Sequence, residues 1–253
     1  MTTTTYHFSS EELIRSCPLP KSFYSHKSST HKSLTIEATK IEPLSSFLKN
    51  TNTNTNTNTK KHIEYSDAER LIEMIGRQLH HLEVEQNKGI SMFHLDDITV
   101  FHSSSSSSSS SNDNPALVYF AITNEDNIYD IDDDNLMEMT IPPLPLSSSH
   151  SHIPSHISKN IAFHSPEYKE FMSKKTIPYQ LHFKSSYYSF GLLCAYCYVN
   201  RDITRIADID HTISSDNSKE FETQFAPIIN TKIYWFLKYV LCENPSERRY
   251  ICV

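Results

Sequence analysis

The chain has 253 residues, with 23 Lys and Arg against 30 Asp and Glu, so its formal net charge at neutral pH is −7. This balance argues against the basic face of a nucleic-acid-binding protein, and no apolar run approaches the roughly 20 residues that span a membrane. Five cysteines, an odd number without the spacing of a disulfide framework, favour a reducing compartment, so we expect a soluble cytoplasmic protein that binds neither nucleic acid nor membrane.

Glycine is scarce in this chain. It occurs three times in 253 residues, first at Gly76, against the roughly 7% of an average protein. A loop that cradles phosphate groups needs glycines, because its backbone N–H groups must approach the ligand closely. The residues before Gly76 therefore do not contain a conventional phosphate-binding loop.

The N-terminal part of the chain predicts few regular elements. Residues 1–33 are rich in Thr, Ser and Lys and predict at most one short helix, which begins near Ser10. Residues 34–38 alternate between apolar and polar side chains as a strand does. Pro43 then opens a short helix that runs to Lys49.

A longer helix is predicted from Ser66 to Gln86. Ser66 and Glu69 have the spacing of a capping box, and leucine and isoleucine recur at i, i+4, i+8 and i+11 along one face. Asn87 and Gly89 predict a turn that ends this helix.

Three segments of low complexity predict insertions with nothing to bury in a core. They cover residues 51–60, 103–114 and 142–158. The third contains His150, His152 and His156, and neutral imidazole is a common ligand of transition metals. No cysteine or carboxylate is interleaved with these histidines, so a linker is the favoured interpretation.

The acidic run at 130–134 has the aspartate spacing of a calcium-binding loop. Position six of such a loop is Asn135 here rather than glycine, and position twelve is Ile141 rather than glutamate. Both mismatches fall on residues that a calcium loop requires. The run therefore predicts a solvated acidic turn.

The densest apolar run lies between Phe183 and Val199 and predicts a helix. It is apolar on nearly all sides, which is typical of a buried helix rather than a surface one. Cys194 and Cys197 lie within it without a second cysteine pair, so core packing is favoured over zinc or redox chemistry. Residues 230–242 predict an amphipathic helix.

The start of this apolar run resembles a segment of protein kinases. Residues 184–192, KSSYYSFGL, are similar to K-S-D-V-W-S-F-G-V, which opens the large buried helix of the kinase C-terminal lobe. Ser186 takes the place of the family's aspartate, which accepts hydrogen bonds from the catalytic-loop backbone, so the resemblance implies a less rigidly held loop. Tyr188 and Gly191 belong to the same central helix.

Residues 89–100 resemble the kinase catalytic loop in position but not in chemistry. With Leu95 as the anchor, His94 takes the place of the catalytic aspartate, and Asp97 falls where the family has a metal-binding asparagine. The resemblance therefore implies a catalytic loop without its base. Earlier in the chain, residues 34–49 are similar to the kinase hinge.

Two further motifs resemble the end of the kinase fold. Residues 165–167, SPE, are similar to A-P-E, and residues 244–248, NPSER, are similar to D-P-x-x-R. In the family the glutamate of the first motif forms a buried ion pair with the arginine of the second, which implies a pair between Glu167 and Arg248. Such a pair is bidentate and geometrically demanding. The alternative is two surface charges without contact.

In chain order, the resemblance covers residues 34–253. It implies an α+β fold, namely a mainly α-helical kinase-like C-terminal lobe with a truncated or rudimentary N-terminal lobe. Residues 1–33 are then a degenerate N-terminal segment, partly disordered. The Asn, Thr, Ser and Ile tracts are typical of an AT-rich coding sequence, and with the degenerate motifs they resemble kinase-like proteins of large DNA viruses, which implies the host cytoplasm.

The resemblance implies a catalytically inactive kinase-like protein, without a cofactor, that acts by contact with an unknown protein partner. Phosphoryl transfer needs cradled phosphates, a metal held by carboxylates, and a base. The chain has no glycine-rich loop, V-A-I-K lysine, catalytic aspartate or D-F-G. One alternative is a residual ATP-dependent serine/threonine kinase that holds Mg²⁺ with Asp96, Asp97 and the run at 130–134. Another is an unrelated helical interaction module.

Overall fold

The computed structural model describes residues 3–8, 10–27, 33–50, 63–103, 117–140, 161–199 and 218–251. The predicted insertions lie outside the described residues, apart from Ser103. The three histidines of the third insertion lie outside them as well. Within the described ranges, helices and small antiparallel sheets alternate along the chain.

The N-terminal part forms a three-stranded antiparallel sheet with one helix. Its elements are β1 (Thr4–Phe8), α1 (Glu11–Ser16), β2 (Tyr24–Lys27) and β3 (Leu34–Ala38). The strand order is β1-β3-β2. The helix near Ser10 is confirmed, and the Ser10 side chain caps it by accepting from the Leu13 N–H. The prediction of at most one short helix in residues 1–33 missed β1 and β2, which satisfy their backbone by pairing with β3.

Nine more strands follow. They are β4 (Lys40–Pro43), β5 (Lys88–Ile90), β6 (Phe93–His94), β7 (Ile98–His102), β8 (Val118–Ile122), β9 (Ile128–Asp130), β10 (Leu136–Met139), β11 (Ala162–Phe163) and β12 (Tyr179–His182). One sheet has the order β4-β7-β8, and the others pair β5 with β9, β6 with β11, and β10 with β12. The predicted acidic turn is confirmed: it connects β9 to β10, and its residues from Asp132 to Asn135 are exposed.

Seven α-helices occur in the described residues. Those after α1 are α2 (Leu44–Asn50), α3 (Tyr65–Gln86), α4 (Pro166–Lys174), α5 (Ser185–Tyr198), α6 (Ser218–Gln224) and α7 (Lys232–Val240). The helices α2, α3, α5 and α7 confirm the sequence predictions for those segments. The predicted Ser66 cap is wrong, because α3 begins at Tyr65 and Glu64, at the cap position, makes no side-chain capping bond. Asn87, with a φ of 55°, adopts the left-handed conformation that ends the helix.

Helix α5 lies at the centre of the core. Every residue from Ser185 to Cys197 is buried, and the helix packs against α3, α7, β6 and β11. Gly191 permits the close approach of α7, because a Cβ at this position would lie 2.6 Å from Val240 Cγ2. The prediction of a buried central helix is confirmed, and its cysteines pack in the core.

The expected fold class is wrong. Helices account for about 48% of the described residues, and twelve strands form five small antiparallel sheets within the same ranges. The fold is therefore mixed, rather than a mainly α-helical kinase-like C-terminal lobe with a rudimentary N-terminal lobe. Most of these strands are short and are stabilised by distant partners, so the local sequence pattern underestimates them.

None of the helices in the described ranges has both the length and the apolar character that crossing a membrane requires.

Candidate functional site

Within residues 89–100, which resemble a catalytic loop, the candidate site residues lie between Phe93 and Ile98. Strand β6 pairs with β11, a short 3-10 turn covers Leu95–Asp97, and β7 follows directly. The apolar residues of the segment are buried and anchor it in the core. Asp96 is exposed, whereas its neighbour Asp97 is buried. The two carboxylates therefore have different surroundings.

Asp97 accepts hydrogen bonds from three residues. Its Oδ2 accepts from the backbone N–H of His94 at 2.6 Å and from Asn127 Nδ2 at 3.5 Å, and its Oδ1 accepts from Asn124 Nδ2 at 2.8 Å. The imidazole Nδ1 of His94 lies 3.4 Å from Oδ2. The residue is 4% exposed. With roughly three of its four acceptor sites used in this way, the carboxylate stabilises the loop.

Asp96 contacts a different element. Its carboxylate accepts a hydrogen bond from the hydroxyl group of Ser45 on α2. Asp97, by contrast, is bonded to the segment that follows β8. The two acidic groups are thus engaged on different sides of the loop instead of converging on one ion.

The acidic run at 130–134 also has protein partners. The carboxylate of Asp130 lies 2.8 Å from Lys88 Nζ, and that of Asp132 accepts from the N–H groups of Asp134 and Leu136. In the part of the chain that the structure describes, no three His, Cys, Asp or Glu side chains are placed to hold a metal ion together. Asp130 and Asp132, two members of the predicted Mg²⁺ set, are therefore engaged in local structure.

A small polar cleft lies beside the Asp97 network, between β1, the start of α1 and the segment after β8. Its volume is about 170 Å³, and its lining includes His7, Asn124, Glu125 and Asp126. The described lining contains no Lys or Arg, and the ring of His7 is hydrogen-bonded to Thr35. Sites for larger ligands have volumes of about 300–1,000 Å³. The cleft is therefore too small for a nucleoside triphosphate, and its acidic lining disfavours phosphate groups.

His164 is a second histidine close to this loop. Its ring stacks on that of Tyr168, with centroids 5.0 Å apart. Burial, with smaller contributions from nearby His94 and Lys169, lowers the pKa of His164 from its usual 6.5 to about 4. The imidazole is therefore neutral near pH 7 and a weak base. Sequence reasoning did not single out this residue, because its enclosure depends on contacts outside its own segment.

Arg248 and Glu167 form a bidentate ion pair. Arg248 Nη1 donates to Glu167 Oε2 at 3.1 Å, and Nη2 donates to Oε1 at 2.6 Å. The remaining donors of the guanidinium group bind the backbone oxygens of Cys242, Glu243 and Lys184 at 2.8, 2.8 and 3.3 Å. All five N–H groups are therefore used, as full burial of an arginine requires.

The pair connects three separate segments of the chain. Glu167 lies in the first turn of α4, which Ser165 caps, and its Oε2 also accepts from Ser185 Oγ at the start of α5. The ring of Tyr188 lies 5.0 Å from the guanidinium carbon of Arg248. The site is structural, because each polar group faces a protein partner.

Ser186 has a local role. Its hydroxyl group donates to the backbone oxygen of Phe183 at 2.9 Å, within the turn that begins α5. The resemblance implied a less rigidly held loop, because Ser186 replaces the family's aspartate. The described polar bonds of the loop come from Asp97, Asn124 and Asn127 instead. No pattern in the sequence pointed to the two asparagines.

Comparison with protein-family models and with curated proteins finds no match for this chain. Its functional interpretation therefore starts from its own geometry. That geometry includes two polar networks, one around Asp97 and one around Arg248, and the small acidic cleft beside the first.

Proposed function

We propose that this chain is a catalytically inactive, kinase-related protein that acts by binding another protein. The observation that carries the proposal is the engagement of Asp97, whose two carboxylate oxygens accept bonds from His94, Asn124 and Asn127. A carboxylate that caps its own loop in this way is less available to a metal ion than an unbonded one.

The surroundings of Asp97 support the inactive state. Phosphoryl transfer depends on positioned phosphates, metal ions and a group that orients the nucleophile. His94 occupies the position of the base, and its Nδ1 faces Asp97 at 3.4 Å. The neighbouring cleft of about 170 Å³ carries Glu125 and Asp126, which repel the phosphates of a nucleotide.

The proposed kinship rests on the order of the motifs and on the Glu167–Arg248 pair. An arginine fully enclosed by one carboxylate and three carbonyl groups is demanding to build. Glu167 belongs to the segment that resembles A-P-E, and Arg248 belongs to the segment that resembles D-P-x-x-R. Convergence of both segments on one pair supports a shared origin with kinases.

An exposed aromatic face supports the binding role. On α7, Trp235 is 49% exposed and Tyr239 is 36% exposed, and Lys238 Nζ lies 5.2 Å from the Trp235 ring. Lys232 pairs with Glu69 of α3 at 3.7 Å, so the face continues towards α3. Trp and Tyr dominate the energetics of many protein interfaces. The proposed partner is therefore a protein.

The proposed compartment is the cytoplasm. Four cysteines of the described residues carry no disulfide, namely Cys17, Cys194, Cys197 and Cys242, as is usual where thiols are kept reduced. The net charge of −7 disfavours a nucleic-acid partner.

The experiment that tests the proposal measures phosphate transfer from labelled ATP, with Mg²⁺ or Mn²⁺, to the chain itself and to general protein substrates. We expect no transfer above the level of a metal-free control. Metal-dependent transfer that disappears in the Asp97→Ala variant would overturn the proposal. A capture experiment with the immobilised chain measures how much partner protein it binds and so tests the aromatic face of α7. The Trp235→Ala variant should bind less partner. The Val84→Ala variant, which changes an exposed apolar residue on α3, should bind as much as the wild-type chain.

A further inference from the structure

A second, larger cleft lies beside Arg248, which contributes to its lining. It has a volume of about 260 Å³ and lies between α3, the start of α5 and the C-terminal residues. Its lining includes Leu79, His80, Lys184, Tyr187, Arg249 and Tyr250. Nothing in the inactive-kinase proposal uses this cleft.

Two tyrosine rings form the apolar walls of the cleft. The rings of Tyr187 and Tyr250 meet edge to face, with centroids 5.6 Å apart. Their hydroxyl groups are already used, since that of Tyr187 donates to Glu83 Oε2 and that of Tyr250 to the backbone oxygen of Ile72. The walls therefore offer carbon surface rather than hydrogen bonds to a ligand, mainly from Tyr250, which is partly buried, because Tyr187 is 9% exposed.

Gly76 makes this arrangement possible. A Cβ at Gly76 would lie 2.2 Å from an atom of the Tyr250 ring, so the ring rests directly on the backbone of α3. The aromatic wall and the helix floor of the cleft are thus in contact.

The same cleft concentrates positive charge. Within the described ranges, Lys184 Nζ makes one hydrogen bond, to the backbone oxygen of Ser246 at 3.3 Å, and retains further donors. Among the described residues, no hydrogen bond or ion pair engages the side chains of Arg249 and His80. Unused cationic donors around one cleft are notable in a chain of net charge −7.

The nearby carboxyl groups accept their hydrogen bonds from other residues. Glu167 is bound by both terminal nitrogens of Arg248, and Glu83 is hydrogen-bonded to the Tyr187 hydroxyl. Arg248 itself lines the cleft, but all its donors have protein partners. The cations available to a ligand are therefore Lys184, Arg249 and, when protonated, His80.

We propose that this cleft binds a phosphate monoester carried on an aromatic ring, such as a phosphorylated tyrosine side chain or a free aryl phosphate. The guanidinium group of Arg249 matches a phosphate bidentately, and Lys184 adds a point charge. The space exceeds that of a bare phosphate ion, and the partly buried ring of Tyr250 provides a surface against which an aromatic ring packs. The proposal is independent of the absence of catalysis.

Titration of the full chain with phenyl phosphate, followed by calorimetry and by amide chemical shifts, tests the proposal. Phenol and inorganic phosphate serve as the two half-ligands, and a phosphotyrosine peptide and its unphosphorylated form distinguish a modified protein from a free ester as the source. We expect saturable binding of phenyl phosphate, weaker binding of either half-ligand, and weakening by salt because charges are paired near the surface.

Variants locate the binding. Arg249→Gln, and Lys184→Gln with Arg249→Gln, should weaken phenyl phosphate binding by about tenfold or more, since each removes charged hydrogen bonds. Arg77→Gln is the matched control, because Arg77 is exposed on α3 and pairs with Glu73 outside the cleft. Arg249 is exposed, so its variant should fold like the wild-type chain. Failure of both phenyl phosphate and the phosphotyrosine peptide to bind, equal binding of inorganic phosphate, or binding unchanged in Arg249→Gln would each overturn the proposal.

Discussion

Arg248 donates to both carboxylate oxygens of Glu167, a residue 81 positions earlier in the chain, at 3.1 and 2.6 Å. The guanidinium group is fully buried, and the carboxylate group is mostly buried. The pair therefore joins the beginning of α4 to the C-terminal end of the described chain. Removal of either residue would leave the charge of the other in a poorly hydrated site.

Removal of either partner should destabilise the protein strongly. We expect Glu167→Ala and Arg248→Ala each to lower the free energy of unfolding by about 3–5 kcal/mol, since each leaves its partner buried and unpaired. Denaturant unfolding measures the loss. Glu170→Ala is the control on the same helix, because its pair with Lys174 is exposed and should contribute less than about 1 kcal/mol. Equally small losses of unfolding free energy for Glu167→Ala and Glu170→Ala would show that the buried pair stabilises the protein no more than the exposed one.

Asp97 should behave as a capping residue. We expect Asp97→Asn to lower the free energy of unfolding by about 1–3 kcal/mol, because an amide replaces one acceptor with a donor that faces Asn124 or His94. Asp96→Asn is the matched control: its exposed carboxylate should contribute less than about 1 kcal/mol. Urea unfolding of both variants checks the difference, and a larger loss for Asp96→Asn would contradict the assignment.

Glu83 should make stability fall as the pH rises. Burial raises the pKa of its carboxyl group from the usual 4.5 to about 7, although the Tyr187 hydroxyl and Lys184 oppose the shift. The folded protein therefore holds the proton more tightly than the unfolded chain, so the contribution is complete below pH 4.5 and is lost as the pH rises through about 7. The loss amounts to about 3 kcal/mol. Glu83→Gln should flatten this part of the pH–stability curve, and an unchanged slope would contradict it.

His164 should have the opposite effect. Its folded pKa is about 4 and its usual value is 6.5, so the unfolded chain binds the proton more readily. Its contribution is complete above pH 6.5 and is lost as the pH falls towards 4, by about 3 kcal/mol. Unfolding of the wild-type chain and of His164→Gln between pH 4 and 6.5 measures the difference. Loss of stability on acidification that is equal in both proteins would count against the neutral, partly buried imidazole.

The helices were the most predictable part of the fold. The periodic apolar residues of α3 and the nearly continuous apolar run of α5 contain enough information within one segment to specify a helix and its burial. Strands β1 and β2 were not predictable in this way, because their stability comes from pairing with β3. Short strands of this kind also made the overall fold more mixed than expected.

The polar networks, like the secondary structure, were predictable only in part from the sequence. The partners Glu167 and Arg248 were named from the sequence through the kinase resemblance, whereas the three carbonyl groups that complete the site depend on how the chain folds around Arg248. The donors to Asp97 include Asn124 and Asn127, which lie 27 and 30 positions away. Local spacing predicts no such contact, so the capping role of Asp97 became evident only from the geometry.

The most direct test of the inactive-protein account is thermal unfolding of the wild-type chain and of Asp97→Asn, each with and without Mg-ATP. A ligand that binds only the folded state raises the unfolding midpoint. The account predicts a lower midpoint for Asp97→Asn and no change on addition of Mg-ATP in either protein. A metal-dependent increase with Mg-ATP in the wild-type chain that is absent in Asp97→Asn would contradict it.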